Sequence, residues 1–255
     1  MLLAVDIGNS AVKLCVFRQS KVVARMRVPT DLACTADELG SQLNKLLAQS
    51  EIRPGAIDRV VLCSVVPALT APFVKAIHQY VGYVPLVVGP QLATGLHFGS
   101  YDPTTLGADR IANVVAAREL YGAPAVVVDC GTATNLEVLG RDGTFMGGVI
   151  APGMVTAFDG LVAKAAQLRR IGLEPPPHAI GTSTVECLQS GTLLGHVALV
   201  EGLLARIRAE MQDTPRIVGT GGLIDVVAAQ TTHIDVVDHD LTVQGLRLLA
   251  ELNPA

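Results

Sequence analysis

The chain has little of what marks several common functional classes. Its five cysteines, Cys15, Cys34, Cys63, Cys130 and Cys187, are an odd number with no Cys-x-x-Cys spacing. That argues against a disulfide framework or a zinc site, and their mostly apolar surroundings read as small core residues. Aromatic residues make up 4% of the sequence and charged residues 16%, with a net charge of −4 and no basic block. Such a chain lacks the electrostatic footprint of nucleic-acid binding. No uninterrupted apolar run reaches the roughly 18 residues needed to span a bilayer, so no membrane association is expected. Met1 leads straight into a strand pattern, without the basic, apolar and small-residue segments of a secretory signal. The expectation is a soluble, cytoplasmic protein with a small acidic or neutral partner.

What the 255 residues do contain is a duplication. LLAVDIGNSAVKLCVF from Leu2 and AVVVDCGTATNLEVL from Ala125 spell the same order: apolar strand, aspartate, glycine turn, second strand. Strand patterns at 2–7, 11–17 and 21–28 precede a helix at 36–49. In that helix Leu39, Leu43, Leu46 and Leu47 recur at helical spacing behind a Thr35-x-x-Glu38 capping box. A strand in IDRVVLCSVVP, a helix near 71–80 and a strand in VPLVVGP come next. The second half repeats much of this order, with strands at 125–130, 135–139 and 144–150 and helices across 155–169 and 185–211. A strand in RIVGTGG, a helix at 223–230, a strand in HIDVVD and a last helix at 241–252 complete it. Two α/β domains are expected, 1–106 and 123–255, joined across a cleft by a helix at 107–122 that opens with Gly107-Ala108-Asp109-Arg110. The proline-rich LRRIGLEPPPHAIG is expected to be an exposed, mobile loop.

The glycine turns carry two readings. Asp6, Gly8, Asn9 and Ser10 suit an ordinary hairpin, because Gly and Asn tolerate positive φ. The second copy, Asp129, Gly131, Thr132 and Thr134, adds a functional one: backbone N–H groups of such turns form anion-binding nests, and the aspartates can hold a hydrated cation. A third turn, Gly219-Thr220-Gly221-Gly222, lets a ligand approach the backbone above a helix N-terminus. Three such turns at strand ends of a duplicated α/β chain resemble the actin-like ATPase and sugar-kinase superfamily. That resemblance implies duplicated ribonuclease-H-like domains, with the first two turns on the phosphates and the third beside the adenosine. Asp109 and Arg110 can be a helix-start aspartate beside a solvated arginine, or a proton acceptor beside a grip for a carboxylate. His233, Asp235, Asp238, His239 and Asp240 offer the donors of a metal cluster, but their strand-and-loop setting favours an exposed edge or a helix cap.

DIGNS, YDPTTLGADR, DCGTATN, GGVIAPG and IGTSTVECLQSG, in this order over nearly the whole chain, resemble the type III pantothenate kinase family. The resemblance implies ATP-dependent phosphorylation of the primary hydroxyl of pantothenate, the first step of coenzyme A synthesis. It makes Asp6, Ile7, Gly8, Asn9, Ser10, Ala11, Val12 and Lys13 the phosphate-binding segment and Thr132 a further ATP contact. On an alternating strand, Lys13 is equally consistent with a solvated face. Tyr101, Gly107, Ala108, Asp109, Arg110 and Thr184 become pantothenate contacts, with Asp109 as proton acceptor and Arg110 facing the carboxylate. Asp129 is implied to hold a monovalent cation, potassium or ammonium, and Asp6 to hold Mg²⁺ through water. A homodimer is implied as well. Asn135 and Ser183 depart from the hydroxyl and amide residues usual at these places. Two other readings stand beside this one: a kinase or phosphatase of the same superfamily acting on another small molecule, and a non-catalytic nucleotide-binding regulatory accessory protein.

Overall fold

Strand alternation sets up the first sheet. In β1 (Leu2–Ile7), Leu3, Val5 and Ile7 enter one core cluster, leaving Ala4 and Asp6 on the opposite face. β1 pairs antiparallel with β2 (Ala11–Arg18) and parallel with β4 (Arg59–Ser64). With β3 (Lys21–Pro29) and β5 (Leu86–Val87) the sheet order is β3-β2-β1-β4-β5. The core face is covered by α1 (Ala36–Gln49) and α2 (Pro67–Val81), which contribute Leu39, Leu43, Leu47, Leu69, Phe73 and Ile77. Full burial of each such leucine is worth about 1.5–3 kcal/mol relative to exposure. Thr35 and Glu38 form the expected reciprocal capping box at the start of α1. The structure, a computed structural model, describes residues 1–254.

The second sheet repeats the first. β6 (Ala125–Cys130), β7 (Ala133–Leu139), β8 (Phe145–Pro152), β9 (Arg216–Thr220) and β10 (Val236–Val237) are ordered β10-β9-β6-β7-β8, the same topology written in reverse. The correspondence extends to single residues: Ala11 faces Pro29 where β2 meets β3, and Ala133 faces Pro152 where β7 meets β8. Val65 N donates to Ile7 O in one unit and Leu223 N to Cys130 O in the other, each at 3.0 Å. The mixed sheets with helices bear out the duplicated α/β architecture.

Several elements differ in extent from their sequence patterns. α3 (Ala108–Tyr121) matches, but α4 (Met154–Lys164) stops five residues before 169. None of residues 165–183 is fully buried, and helical propensity without a packed face does not sustain a short helix. The strand in VPLVVGP shrinks to two residues, between Pro85 and Pro90, neither of which has an N–H to donate. α5 (Thr184–Gln189), a π-helical turn (Ser190–Leu194) and α6 (Gly195–Met211) form one 28-residue helix. By length and composition this run could cross a bilayer, although no uninterrupted apolar stretch signals it. Its Leu193, Val197, Val200, Leu204 and Ile207 instead join the core of the second sheet, with α7 (Ile224–Ala228). The core reading of the cysteines holds for Cys15, Cys63 and Cys130; Cys34 is half-buried and Cys187 exposed.

Two compact units result. One comprises Met1–Leu96, Asp102–Ala116 and the chain from Asp240; the other comprises His97–Tyr101 and Ala117–His239. The last helix, α8 (Leu241–Leu252), comes after the second half in sequence but packs on β1, β2 and β4 of the first unit.

Candidate active site

In the first unit, polar residues collect where the parallel strands β1 and β4 end, the usual place for ligands in such sheets. Asp6 lies there, 8% exposed, on the face away from the α1–α2 core. The strand register sets Lys13 of β2 on one side of it and Cys63 of β4 on the other. The Cys63 thiol donates to Asp6 Oδ1 at 3.3 Å. Beyond Asp6 the hairpin turn is closed by Gly8 N donating to Ala11 O at 3.1 Å and braced by Thr30 Oγ1 donating to Gly8 O at 2.6 Å. Asn9 and Ser10 are left exposed at its tip.

Asp109 enters from the first turn of α3. Its Oδ1 accepts from Arg110 N at 2.8 Å, folding the carboxylate back over the helix N-terminus. A Cβ on Gly107 would lie 2.8 Å from that same oxygen, so the glycine makes room for it. Burial raises the Asp109 pKa; the Arg110 N–H and guanidinium and the Lys13 ammonium oppose the rise. Burial also pushes up the Cys63 thiol, and the charges of Asp6 and Asp109 push it further. These mutual influences put Asp6, Lys13, Cys63 and Asp109 in one electrostatic neighbourhood. α8 locks α3 in place: Thr242 Oγ1 donates to Asn113 Oδ1 at 2.8 Å, both buried. A Cβ on Gly245 would fall 1.9 Å from Ala112 O, so the two helices meet backbone to backbone. Arg110 is buried, at 7% exposure.

The second unit repeats the arrangement. Asp129 is the penultimate residue of β6, opposite Asn135 of β7 and Thr220 of β9. Gly131 N donates to Ala133 O at 2.9 Å, and Thr132 O accepts from Thr156 Oγ1 at 2.6 Å and from Gly153 N at 3.1 Å. Thr156 thus braces the second turn as Thr30 braces the first. Gly221 has φ +96°, and a Cβ there would lie 2.5 Å from both Asp129 Oδ1 and Cys130 O. Beside it Thr220 is fully buried with no hydrogen-bond partner for Oγ1. An oxygen-lined cradle of this kind suits a hard cation. Tyr101 packs edge-on against Phe145, with ring centroids 4.9 Å apart, whereas Thr184 is exposed at the first residue of α5, after the cap residue Ser183.

The acidic and histidine residues near the end of the chain have local partners. His233 Nδ1 meets Arg208, Asp235 accepts from Ile217 N, Asp238 from Tyr121, His239 pairs with Asp225 and Asp240 with Arg25. Among the described residues, no group of three or more His, Cys, Asp or Glu is placed to hold a metal.

The model of one protein family, type III pantothenate kinase, matches residues 2–206. The chain belongs to that family. It is 43% identical to the type III pantothenate kinase of Moorella thermoacetica over 253 residues, covering 99% of this chain and 100% of the relative. It is 40% identical to that of Dehalococcoides mccartyi strain CBDB1 over 252 residues, covering 99% and 96%. Among solved structures, the activator of 2-hydroxyisocaproyl-CoA dehydratase from Clostridium difficile superposes with a TM-score of 0.55 at 12% identity, covering 98% of this chain and 95% of that one. The ROK hexokinase of Thermus thermophilus gives 0.51 at 12% identity, with 98% of each chain covered. At such identity the likeness concerns the fold, and it is the actin-like ATPase fold.

Four residues that border the candidate site were not legible as such in the sequence. Cys63 reads as a core cysteine until β4 is registered against β1. Thr30 and Thr156 lie outside the glycine motifs and reach the turns only because the third strand of each sheet runs back beside them. Thr220 sits inside a glycine motif, but its buried hydroxyl shows only in three dimensions.

Proposed function

We propose that the enzyme transfers the γ-phosphoryl group of ATP to the primary hydroxyl of pantothenate, giving 4′-phosphopantothenate and ADP, with Asp109 as the proton acceptor. The observation that carries this assignment of roles is the grouping of Asp109 with Asp6 and Lys13 in one unit of a type III pantothenate kinase. The pantothenate oxygen forms a bond to the γ-phosphorus as the bond to the ADP oxygen breaks, and the hydroxyl proton passes to Asp109. Because the transition state of phosphoryl transfer is loose, positioning and charge stabilisation dominate. Asp6 and the turn through Lys13 hold the phosphates, with Mg²⁺ travelling on ATP and Asp6 meeting it through water; Thr132 adds a contact from the second turn. Arg110 pairs with the pantothenate carboxylate beside Gly107 and Ala108 at the start of α3, and Tyr101 and Thr184 are further substrate contacts.

A monovalent cation, potassium or ammonium, fits beside Asp129, where Thr220 offers a buried oxygen and Gly221 leaves the space a Cβ would fill. When bound it adds positive charge beside the Asp129 carboxylate. A homodimer completes the reading, supported by the apolar side chains that the second unit leaves exposed, among them Met146, Ile150, Leu161 and Val185. An ATP-consuming enzyme of intermediary metabolism belongs in the cytoplasm. One coupled assay of ADP release with ATP, Mg²⁺ and pantothenate, run in potassium and in sodium, tests the whole. Turnover that requires pantothenate and is several-fold faster in potassium is expected. ADP release indifferent to pantothenate would remove the substrate assignment, and equal rates in the two salts would remove the cation.

A further inference from the structure

Cys63 is a fully buried side chain that the mechanism above leaves unused. Its neighbours on β4 divide as strand alternation requires: Val60 and Leu62 enter the α1–α2 core, and Cys63 faces the other way, toward Asp6. β1 and β4 are parallel and in register over Leu2–Ile7 and Arg59–Ser64, so the two side chains are neighbours on one face at the same sheet end. The Sγ to Oδ1 distance of 3.3 Å is that of a thiol donating to a carboxylate. A carboxylate removed from water needs donors, and an apolar residue at 63 would withdraw one of them.

We propose that Cys63 is a positioning residue for the phosphate-binding carboxylate: its thiol fixes the orientation in which Asp6 meets the magnesium and phosphates of ATP. The proposal rests on the assignment of Asp6 to Mg·ATP made above. Donation to Oδ1 restrains the orientation of the carboxyl group. The residue is suited to the task because a thiol is a small donor, fully buried beside the carboxylate it serves. Cys63 touches no reacting atom in this scheme; it acts through Asp6.

The test compares wild type with Cys63→Ala, Cys63→Val and Cys63→Ser in the full chain, titrating ATP binding by calorimetry across a range of Mg²⁺ concentrations. Loss of the donor in the Ala and Val variants should raise the Mg²⁺ needed for half-maximal ATP binding by about 3- to 10-fold, as befits a weak donor to a charged acceptor. The KM for pantothenate should stay within about twofold of wild type, since its contacts are elsewhere. The serine hydroxyl should restore most of the Mg²⁺ response, which a purely space-filling role does not predict. Val keeps the volume that Ala removes, so a folding defect in one leaves the other to decide. In an Asp6→Asn background, Cys63→Ala should add little, because the partner is already gone. Unchanged Mg²⁺ dependence in Ala and Val overturns the proposal, as does a Ser variant no better than Ala or a loss that adds in full to that of Asp6→Asn. Should the wild type bind Mg·ATP yet fail to phosphorylate pantothenate, the substrate assignment falls while the binding titrations still decide the role of Cys63.

Discussion

Replacing Asp109 with asparagine separates catalysis from stability. The amide is nearly isosteric with the carboxylate, and its oxygen can keep the 2.8 Å bond from Arg110 N and the space left by Gly107. What changes is charge and basicity. Burial raises the pKa of the native carboxyl, and the Arg110 N–H and guanidinium and the Lys13 ammonium oppose that rise only in part. A group whose folded pKa lies above its unfolded value favours folding when protonated and opposes it once ionised. A neutral asparagine removes the cost that ionisation carries at pH above the raised pKa, and Tm there should be equal to or higher than that of the wild type. Loss of a positioned proton acceptor should lower kcat by about 10²–10⁴. By the rate equation that is a barrier rise of about 2.7–5.4 kcal/mol. ATP affinity should hold, since the proposed partner of the Asp109 carboxylate is the hydroxyl of pantothenate. Thermal unfolding, calorimetric ATP binding and the coupled assay read the three quantities. Turnover at the wild-type level would falsify the assigned role, and a large drop in Tm would mean that the carboxylate is a structural group.

Three further outcomes rest on the same geometry. Lys13→Met removes a cation that lowers the Asp109 pKa, so the acid limb of the kcat/KM profile should move to higher pH; an unmoved or lower limb contradicts the electrostatic link. Gly221→Ala demands an alanine at φ +96° with its Cβ 2.5 Å from Asp129 Oδ1, so the potassium stimulation should disappear along with about 1–3 kcal/mol of stability, measured by denaturant unfolding and by assays in two salts. A variant with normal cation response shows that Asp129 is not the ligand. Gly245→Ala drives a methyl into Ala112 O and should shift the helix that carries Asp109, costing about 1–3 kcal/mol and lowering kcat, whereas the solvent-facing Gly202→Ala should cost nothing. Equal stability of the two variants would undo the assigned α3–α8 contact.

Much of the molecule was written locally. α1 was legible because its leucine spacing, capping box and burial all point the same way, and the duplicated strand-aspartate-glycine segments disclosed two related sheets because alternation needs only neighbouring residues. The motif residues were legible for the same reason: a glycine before a carboxylate, as at Gly107 and Asp109, is a local steric statement. Other features depend on which segments meet. Sequence order assigns Leu241–Leu252 to the second half, and only packing shows that it covers β1 and β4 and clamps α3. α4 stops at Lys164 because no residue from 165 to 183 is fully buried, a fact about the rest of the chain rather than about those residues. Cys63 is a core cysteine in sequence and a hydrogen-bond donor to a site carboxylate in space, because register between strands 57 residues apart decides what its thiol faces. The sequence by itself determined strands, turns and the chemical groups at their ends; long-range pairing alone decided which of those groups share a neighbourhood, and with it their protonation.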